Sequence, residues 1–377
     1  MTLFDGALSD ALEVLIDHRG KTPRKLGGDW VDDGHRVVSA LNIKDRRVDL
    51  NDHHYVDAAM YRRWMPTPLA AGDVLLTSEA PLGEVAYLAS TEQWCVGQRL
   101  FVLRSKPGIL DGRYLYYLLQ TAPVRQQILS RASGSTVLGI RQAELVQVRL
   151  QLPSVSQQLN IASTLGALDD KIESNRRLQS LCWKLVDTTY QHLVAGSGKE
   201  PLSALVAFEY GKALPGPARV PGLVPVFGSG GRVGSHDMAL IDGPAVVVGR
   251  KGTVGALHWS SDACWPIDTT YFVRCGAGVP MLAAYMALRH AGLSQMNSDS
   301  AVPGLNRTAA LTRIVASPRV PGLHAWNTRS ELFAARAATA ISETTRLAAL
   351  RDALLPELLS GRIQVPEASQ AIESALA

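Results

Sequence analysis

The run from Pro153 to Ala195 constrains the fold more than any other stretch: it holds a single glycine, Gly166, and no proline after its first residue. Apolar side chains fall at Ile161, Leu165, Leu168 and Ile172 and resume, after a slip, at Leu178, Leu181 and Leu185. Steps of three and four place them on one face of a helix. At 1.5 Å per residue such a helix reaches roughly 60 Å, more than the width of a small domain, so it is expected to act as a spacer. A second stretch, Ser330 to Ser360, repeats the pattern. Its Ile341, Leu347, Leu350 and Leu354 each stand 169 positions after Ile172, Leu178, Leu181 and Leu185, and Arg346 stands likewise after Arg177. Two narrow apolar seams are most simply buried against each other, as an antiparallel coiled coil. Asn175, beside Arg176 and Arg177, interrupts the first seam, either as a polar residue that fixes register or as a solvated break.

The regions outside the helices repeat as well. Gly243–Val248 stands 171 residues after Gly72–Thr77, Tyr271–Val273 stands 171 after Leu100–Val102, and Gly304 and Pro318 stand 165 after Gly139 and Pro153. Ordered matches at nearly constant offset predict an internal duplication. The expected organisation is a first domain over 1–152, a spacer helix over 153–195, a second domain over 196–318, a second spacer helix over 319–363 and a tail over 364–377. Within the first domain, Gly72–Thr77, Glu84–Leu88 and Arg99–Leu103 read as strands and Gly112–Leu129 as a helix with Leu115, Leu118 and Leu119 on one face. An amphipathic stretch carrying Leu8, Leu12, Leu15 and Ile16 precedes them. The fold class is therefore α+β, two duplicated mixed α/β domains alternating with the paired helices.

Hydrophobic residues make up 46% of the 377, enough for buried cores. No apolar run approaches the roughly eighteen residues of a membrane span, and the first residues are acidic where a leader would be basic, so the expected location is the cytoplasm. Cys95, Cys182, Cys264 and Cys275 lack CxxC or Cys/His spacing, which predicts packed thiols and neither a zinc site nor a disulfide framework. The net charge of +4 is unevenly spread. Basic residues exceed acidic ones by 18 to 17 in 1–152 and by ten to seven in 196–318, whereas 153–195 and 319–377 are balanced. That excess is compatible with a DNA partner and does not exclude others.

Several basic clusters are candidate DNA contacts. Arg19, Lys21, Arg24 and Lys25 crowd a loop whose Gly20 and Pro23 forbid regular helix, a setting that suits phosphate contact or a solvated loop. Arg250 and Lys251 lie in Gly249-Arg-Lys-Gly-Thr-Val-Gly255, which lacks the order of a P-loop; its glycines let backbone bring an Arg near guanine and a Lys near phosphate. Arg232 ends Phe227-Gly-Ser-Gly-Gly-Arg232, where Val233 breaks the GxGxxG pattern, so a tight turn is expected there. Arg141-Gln142 and Asn306-Arg307 occupy equivalent places in the two copies, where Gln or Asn could pair with adenine and Arg with guanine, or both pairs could be exposed ends. Gly211-Lys212 opens a connecting loop, and Arg46-Arg47 and Arg62-Arg63 are expected to face solvent or phosphate. Two similar, non-identical domains held at a set distance could read two short, different sequences across an unread gap.

These residues carry a resemblance. The chain resembles the specificity subunit of type I restriction-modification systems over almost its whole length. The similarity rests on Arg19-Gly-Lys-Thr-Pro23, Gly72–Thr77, Leu168-Asp-Asp-Lys-Ile172, Gly222–Arg232, Gly249–Gly255, Trp265-Pro-Ile-Asp-Thr-Thr-Tyr-Phe272 and Leu354–Ile363. It departs from the family where each helix begins: the usual Pro-Pro-Leu and Glu-Gln become Pro153-Ser-Val-Ser-Gln-Gln158, and the pattern is gone after Pro318. The resemblance implies two target-recognition domains, a bipartite asymmetric DNA target, and docking with two methyltransferase subunits that use S-adenosylmethionine on adenine N6. It also implies restriction subunits that use ATP and magnesium, and no cofactor in this chain itself.

A catalytic centre is not expected. The chain has neither a Gly-rich cofactor loop nor an Asn/Asp-Pro-Pro-aromatic motif, and no Ser/His/Asp arrangement can be assigned. Asp169-Asp-Lys-Ile-Glu173 is the one cluster that could serve a metal-dependent nuclease, against a plainer reading as helix surface. The rival from another class is a two-lobed scaffold for protein partners without DNA specificity.

Overall fold

The computed structural model describes residues 4–51, 54–296 and 304–376. The chain divides into two units, Met1–Ile172 with Arg346–Ala377, and Glu173–Thr345. Each of the long helices, Val155–Val194 and Leu323–Ser360, therefore contributes a part to both units. Among the described residues no helix is long and apolar enough to cross a membrane.

The first unit is built on a four-stranded sheet in the order Leu12–Asp17, Leu100–Ser105, Val74–Thr77, Val85–Tyr87. All four residues of Val74–Thr77 are buried because both faces of the sheet are covered. Val74 and Leu76 point into a core with Phe101, Tyr114 and Leu168, whereas Leu75 and Val102 point into a second core with Trp64 and Val38. Burial of side chains this size stabilises by roughly 2 kcal/mol each. Beside it lies a three-stranded sheet, His54–Val56, His35–Val38 and Cys95–Val96, whose last pair is parallel. Phe4–Ala7 pairs with Arg149–Leu152.

The second unit repeats these three sheets in the same order, without the short Ile43–Lys44/Arg47–Val48 ladder that the first unit also has. Its four-stranded sheet runs Val206–Tyr210, Thr270–Cys275, Ala245–Gly249, Leu257–Ser260. Its three-stranded sheet is Gly231–His236, Val224–Gly228 and Trp265–Pro266, again with the last pair parallel, and Lys199–Pro201 pairs with Ile314–Ala316. Val246 and Val248 face a core that includes Leu282 and Met286 of the helix Met281–Arg289, and Val247 faces Ile241 and Cys264. Duplication is thus visible as topology as well as spacing.

Two local expectations change. Gly112–Leu129 is two helices, Gly112–Leu118 and Ala122–Ser130, because Pro123 fits only the first turn of a helix and forces a new start. The stretch around Leu8 is a single helical turn, Leu8–Ala11, running into the strand Leu12–Asp17, where pairing with Leu100–Ser105 outweighs the amphipathic pattern. Cys95, Cys182 and Cys264 are buried free thiols and Cys275 is half-buried; burial pushes Cys95 up to about 12.

The first long helix starts on Ser154, whose hydroxyl accepts from the Gln157 amide. Gln158 is fully buried there: its Nε2 donates to the Ile109 and Pro153 carbonyls and its Oε1 accepts from the Asp111 amide. Gly166 serves a close approach, since Arg113 crosses the helix at this point, donating to the Gly166 carbonyl at 3.0 Å and to Asp170 at 2.5 Å. A Cβ at 166 would fall 2.5 Å from the guanidinium carbon.

Within each unit the two long helices run antiparallel. In the first, Asp169 accepts from Arg351 at 2.6 Å and from the Tyr117 hydroxyl at 2.5 Å, and Arg351 also holds Asp352, which Arg46 meets from the body of the unit. In the second, Asn175 Nδ2 donates to Glu343 at 3.0 Å and Trp326 Nε1 donates to Thr189. Leu165, Leu168, Ile172, Asn175, Leu347 and Leu354 are buried, and Ile161, Leu178 and Leu350 are partly buried. Leu181, Leu185 and Ile341, placed in the seam by their spacing, are instead exposed. Beyond Asn175 the buried face passes to Cys182, Val186 and Tyr190, and on the other helix to Ala337 and Ala340. The seam there follows small and aromatic residues in place of leucines, shifting the inward face by one position. Residues 365–376 form a helix whose Ala368 and Ile372 join the first unit's core.

Candidate nucleic-acid interface

Register defines one end of each four-stranded sheet. In the first unit Asp17 lies opposite Phe101 and Phe101 opposite Leu76; in the second Glu209 lies opposite Phe272 and Phe272 opposite Val247. The chain then leaves both sheets in the same direction, through His18 in one and Tyr210 in the other. A second segment arrives beside it: the Ser78 amide donates to the Arg99 carbonyl, and the Arg250 amide to the Thr269 carbonyl, both at 2.9 Å. A third closes the set, with the Ile140 amide donating to the Ser78 carbonyl at 2.9 Å and the Leu305 amide to the Arg250 carbonyl at 2.8 Å. Each unit thus gathers three loops that are distant in sequence onto one sheet end, and eleven of the twelve candidate residues lie on these loops. The twelfth, Arg232, lies two residues past the Ser229-Gly230 tip of the hairpin Val224–His236, and that tip lies close to the loop after Gly249, where a Cβ at 252 would stand 3.1 Å from the Ser229 hydroxyl.

In the first unit the basic loop is partly committed to its own fold. Arg19 forms a two-point pair with Asp17 at 2.8 and 2.6 Å, donates to the Ile140 carbonyl at 3.0 Å, and lies over the Phe101 ring. It ties the first loop to the third. Lys21 Nζ donates to the Trp64 carbonyl and Lys25 Nζ to the Gly20 carbonyl, both at 2.9 Å, which leaves further protons on each ammonium. Burial lowers the Lys21 pKa. Arg24 is exposed with no side-chain partner among the described residues, and Arg141 and Gln142 are exposed at the start of the short helix Gln142–Leu145. His18, whose Nδ1 is buried without a hydrogen-bond partner among the described residues, has its pKa lowered to about 4 by burial and then by the Lys21 charge, against the opposing pull of Asp17.

The second unit is arranged around Tyr210. Arg250 sits 5.2 Å and Arg307 5.4 Å from the centre of this half-exposed ring, and Arg250 also approaches Tyr271. Neither guanidinium has a carboxylate partner among the described residues; Arg250 donates to the Asp268 carbonyl at 2.9 Å. Two cations gathered at one aromatic ring, without a carboxylate partner among the described residues, form a local anion-attracting surface. Lys212 and Lys251 are exposed beside them, and the backbone amides of Lys212 and Lys251 donate to Pro266 and Thr269 of the same turn. Arg232 is exposed and makes one long bond to the Gly234 carbonyl. Asn306 caps the helix Arg307–Leu311 through its Oδ1, so a contact to a base would use Nδ2 and one remaining lone pair. The glycines of this motif have a structural cause: a Cβ at 249 would lie 2.1 Å from the Thr253 carbonyl oxygen, and one at 255 would lie 2.3 Å from Leu293.

Residues 66–181 match the family model described as the type I restriction modification DNA specificity domain. That region is similar to a type I specificity domain. Over 114 residues it is 32% identical to the type I restriction enzyme MjaIX specificity subunit of Methanocaldococcus jannaschii, covering 30% of this chain and 26% of that protein. A second relative from the same organism, named for the MjaX type I restriction enzyme, is 29% identical over 188 residues, covering 46% of this chain and 41% of that protein. The matched region thus spans less than half of either relative. The S subunit of a type I restriction-modification system from M. genitalium has the same fold over 94% of this chain and 96% of its own, with a TM-score of 0.60 at 18% identity. The matched residues 66–181 span the second and third loops of the first unit's sheet end and most of the first long helix.

Four contributors to these surfaces are not among the candidate contacts named from sequence, although two of them, Asp268 and Tyr271, lie within the Trp265–Phe272 motif. Tyr210 and Tyr271 organise the second cluster, the Asp268 carbonyl anchors Arg250, and Arg99, paired with Glu79 at 2.9 Å, stands at the first sheet end in a left-handed conformation. Tyr210 closes an apolar strand just ahead of Gly211-Lys212, and Arg99 opens one; a basic or aromatic residue at a strand end was the available signal. Among the described residues no group of His, Cys, Asp and Glu is arranged to hold a metal, and Asp169 and Asp170 are held by Arg351, Tyr117 and Arg113.

Proposed function

We propose that this chain is the DNA sequence-recognition subunit of a type I restriction-modification complex, binding a bipartite, asymmetric target and positioning partner enzymes that act on it. The observation that carries this reading is that two units sharing the same four-stranded and three-stranded sheets present, at the same sheet end, loops with different side chains. A shared scaffold gives both units one way to approach a duplex, and the differing loops give each its own half-site. Phosphate contacts from Lys212, Lys251, Arg24 and Lys25 set position, and Arg141, Gln142, Asn306, Arg307 and Arg232 are within the same surfaces to meet base edges. The paired helices link the two recognition units and carry the docking surface for two methyltransferase subunits and for restriction subunits. Catalysis belongs to those partners, with S-adenosylmethionine, ATP and magnesium held there. The carboxylates of Asp169 and Asp170 serve helix packing, which speaks against a nuclease in this chain.

Salt-dependent binding to duplex DNA tests the reading. Each phosphate contact contributes about one unit to the slope of log affinity against log salt. Lys251→Ala should lower that slope by about one and weaken all duplexes alike, whereas Arg307→Ala should weaken the target duplex about tenfold more than a random one. Affinity that is independent of salt and of both substitutions would favour a protein-binding scaffold.

A further inference from the structure

Beside the first unit's sheet end lies a cavity of about 360 Å³, a size typical of small-ligand sites. Its walls include Lys21 and Arg99, both at the candidate DNA face, and Trp30, His54, Trp64 and Gln98. Trp30 is 44% exposed, stands edge-on to His54 at 4.9 Å, and its indole N–H has no partner among the described residues. The Gln98 side chain is likewise exposed and unpartnered among them, while Trp64 is locked in the floor by its bond to the Val96 carbonyl. Two residues of the rim, Ala80 and Arg99, hold φ of +50° and +62° without being glycine, a conformation that costs energy and is kept where surrounding structure fixes a site. The chemistry is that of a planar, hydrogen-bonding ring attached to an anion: an indole for stacking, an amide with both donor and acceptor, and two cations in the lining, Lys21 and an Arg99 whose Nε pairs with Glu79 and whose terminal nitrogens are left to donate.

We propose that this cavity binds a single nucleotide, with the base against Trp30, its edge read by Gln98, and the phosphate held by Lys21 and Arg99. Its source is either a base extruded from the bound duplex or a free nucleotide. The extruded source rests on the DNA-recognition reading above; the free source does not. Extrusion swings the nucleotide out of the stack about its backbone, at a cost of unstacking that stacking on an aromatic ring offsets.

The test uses the full chain in two arms, with duplex affinity measured in parallel. In the first, each of the four deoxynucleoside 5′-monophosphates is titrated calorimetrically at low salt. In the second, a duplex carrying the target has each base of one half-site replaced in turn by 2-aminopurine, whose emission reports loss of stacking. The expected result is saturable binding of at least one monophosphate, or an extrusion signal at one position, weakened about tenfold by Trp30→Ala and with base preference lost in Gln98→Ala. Monophosphate binding alone identifies a free nucleotide as the source; an extrusion signal identifies the duplex. If the duplex binds with salt dependence while both arms stay silent, the cavity proposal is overturned and DNA recognition stands. If no duplex binds yet a monophosphate does, the reverse holds. Silence in both arms, or signals unchanged in both variants, overturns the nucleotide site.

Discussion

Arg19 and Arg24 show how little charge alone says about role. Both sit in one basic loop, yet Arg19 is spent on Asp17, the Ile140 carbonyl and the Phe101 ring, whereas Arg24 faces outward. Arg19→Ala should destabilise the first unit by about 2 kcal/mol in urea unfolding, because charge-assisted bonds are lost and a carboxylate is left unpaired. Arg24→Ala should leave stability unchanged and weaken duplex binding. His18 adds a pH dependence. Its folded pKa, about 4, lies below the ordinary 6.5, so the unfolded chain binds the extra proton between those values. Stability contributed by neutral His18 is full above about pH 6.5 and is lost as pH falls toward 4. His18→Gln should flatten the pH profile of thermal unfolding in that window. The basic loops were legible in the sequence because charge clusters and glycines are local signals. Tyr210 was not, because its importance comes from two arginines that reach it from positions 250 and 307.

At the scale of elements, periodicity located the first long helix to within two residues and the end of the second, whose start at Leu323 lies seven residues before Ser330, and the constant offsets located the repeated strands. The inward face beyond Asn175 was harder. Leucines were assumed to mark the seam, but the helix buries Cys182, Val186 and Tyr190 and leaves Leu181 and Leu185 outside. Adjacent positions on a helix are about 100° apart, so a one-residue shift in an irregular pattern moves the seam without erasing the periodicity. The consequence is measurable by urea unfolding: Val186→Ala should cost about 2 kcal/mol, and Leu181→Ser should stay within about 0.5 kcal/mol of the parent. The split helix after Leu118 has a similar lesson, since one proline at a permitted first-turn position converts a continuous apolar pattern into two elements.

For the whole molecule, duplication is the organising fact. Two units with one topology differ in what they hold at the sheet end: a loop tied down by Arg19 and a cavity in one, an arginine pair around Tyr210 in the other. Such asymmetry on a common scaffold is what recognition of two unlike half-sites requires. The most direct measurement is to co-express this chain with its candidate methyltransferase subunit and map N6-methyladenine across the host DNA. Methylation confined to one bipartite motif, and lost when this chain is omitted, is the predicted result. Absence of motif-confined methylation from a soluble complex with an active methyltransferase would contradict the account.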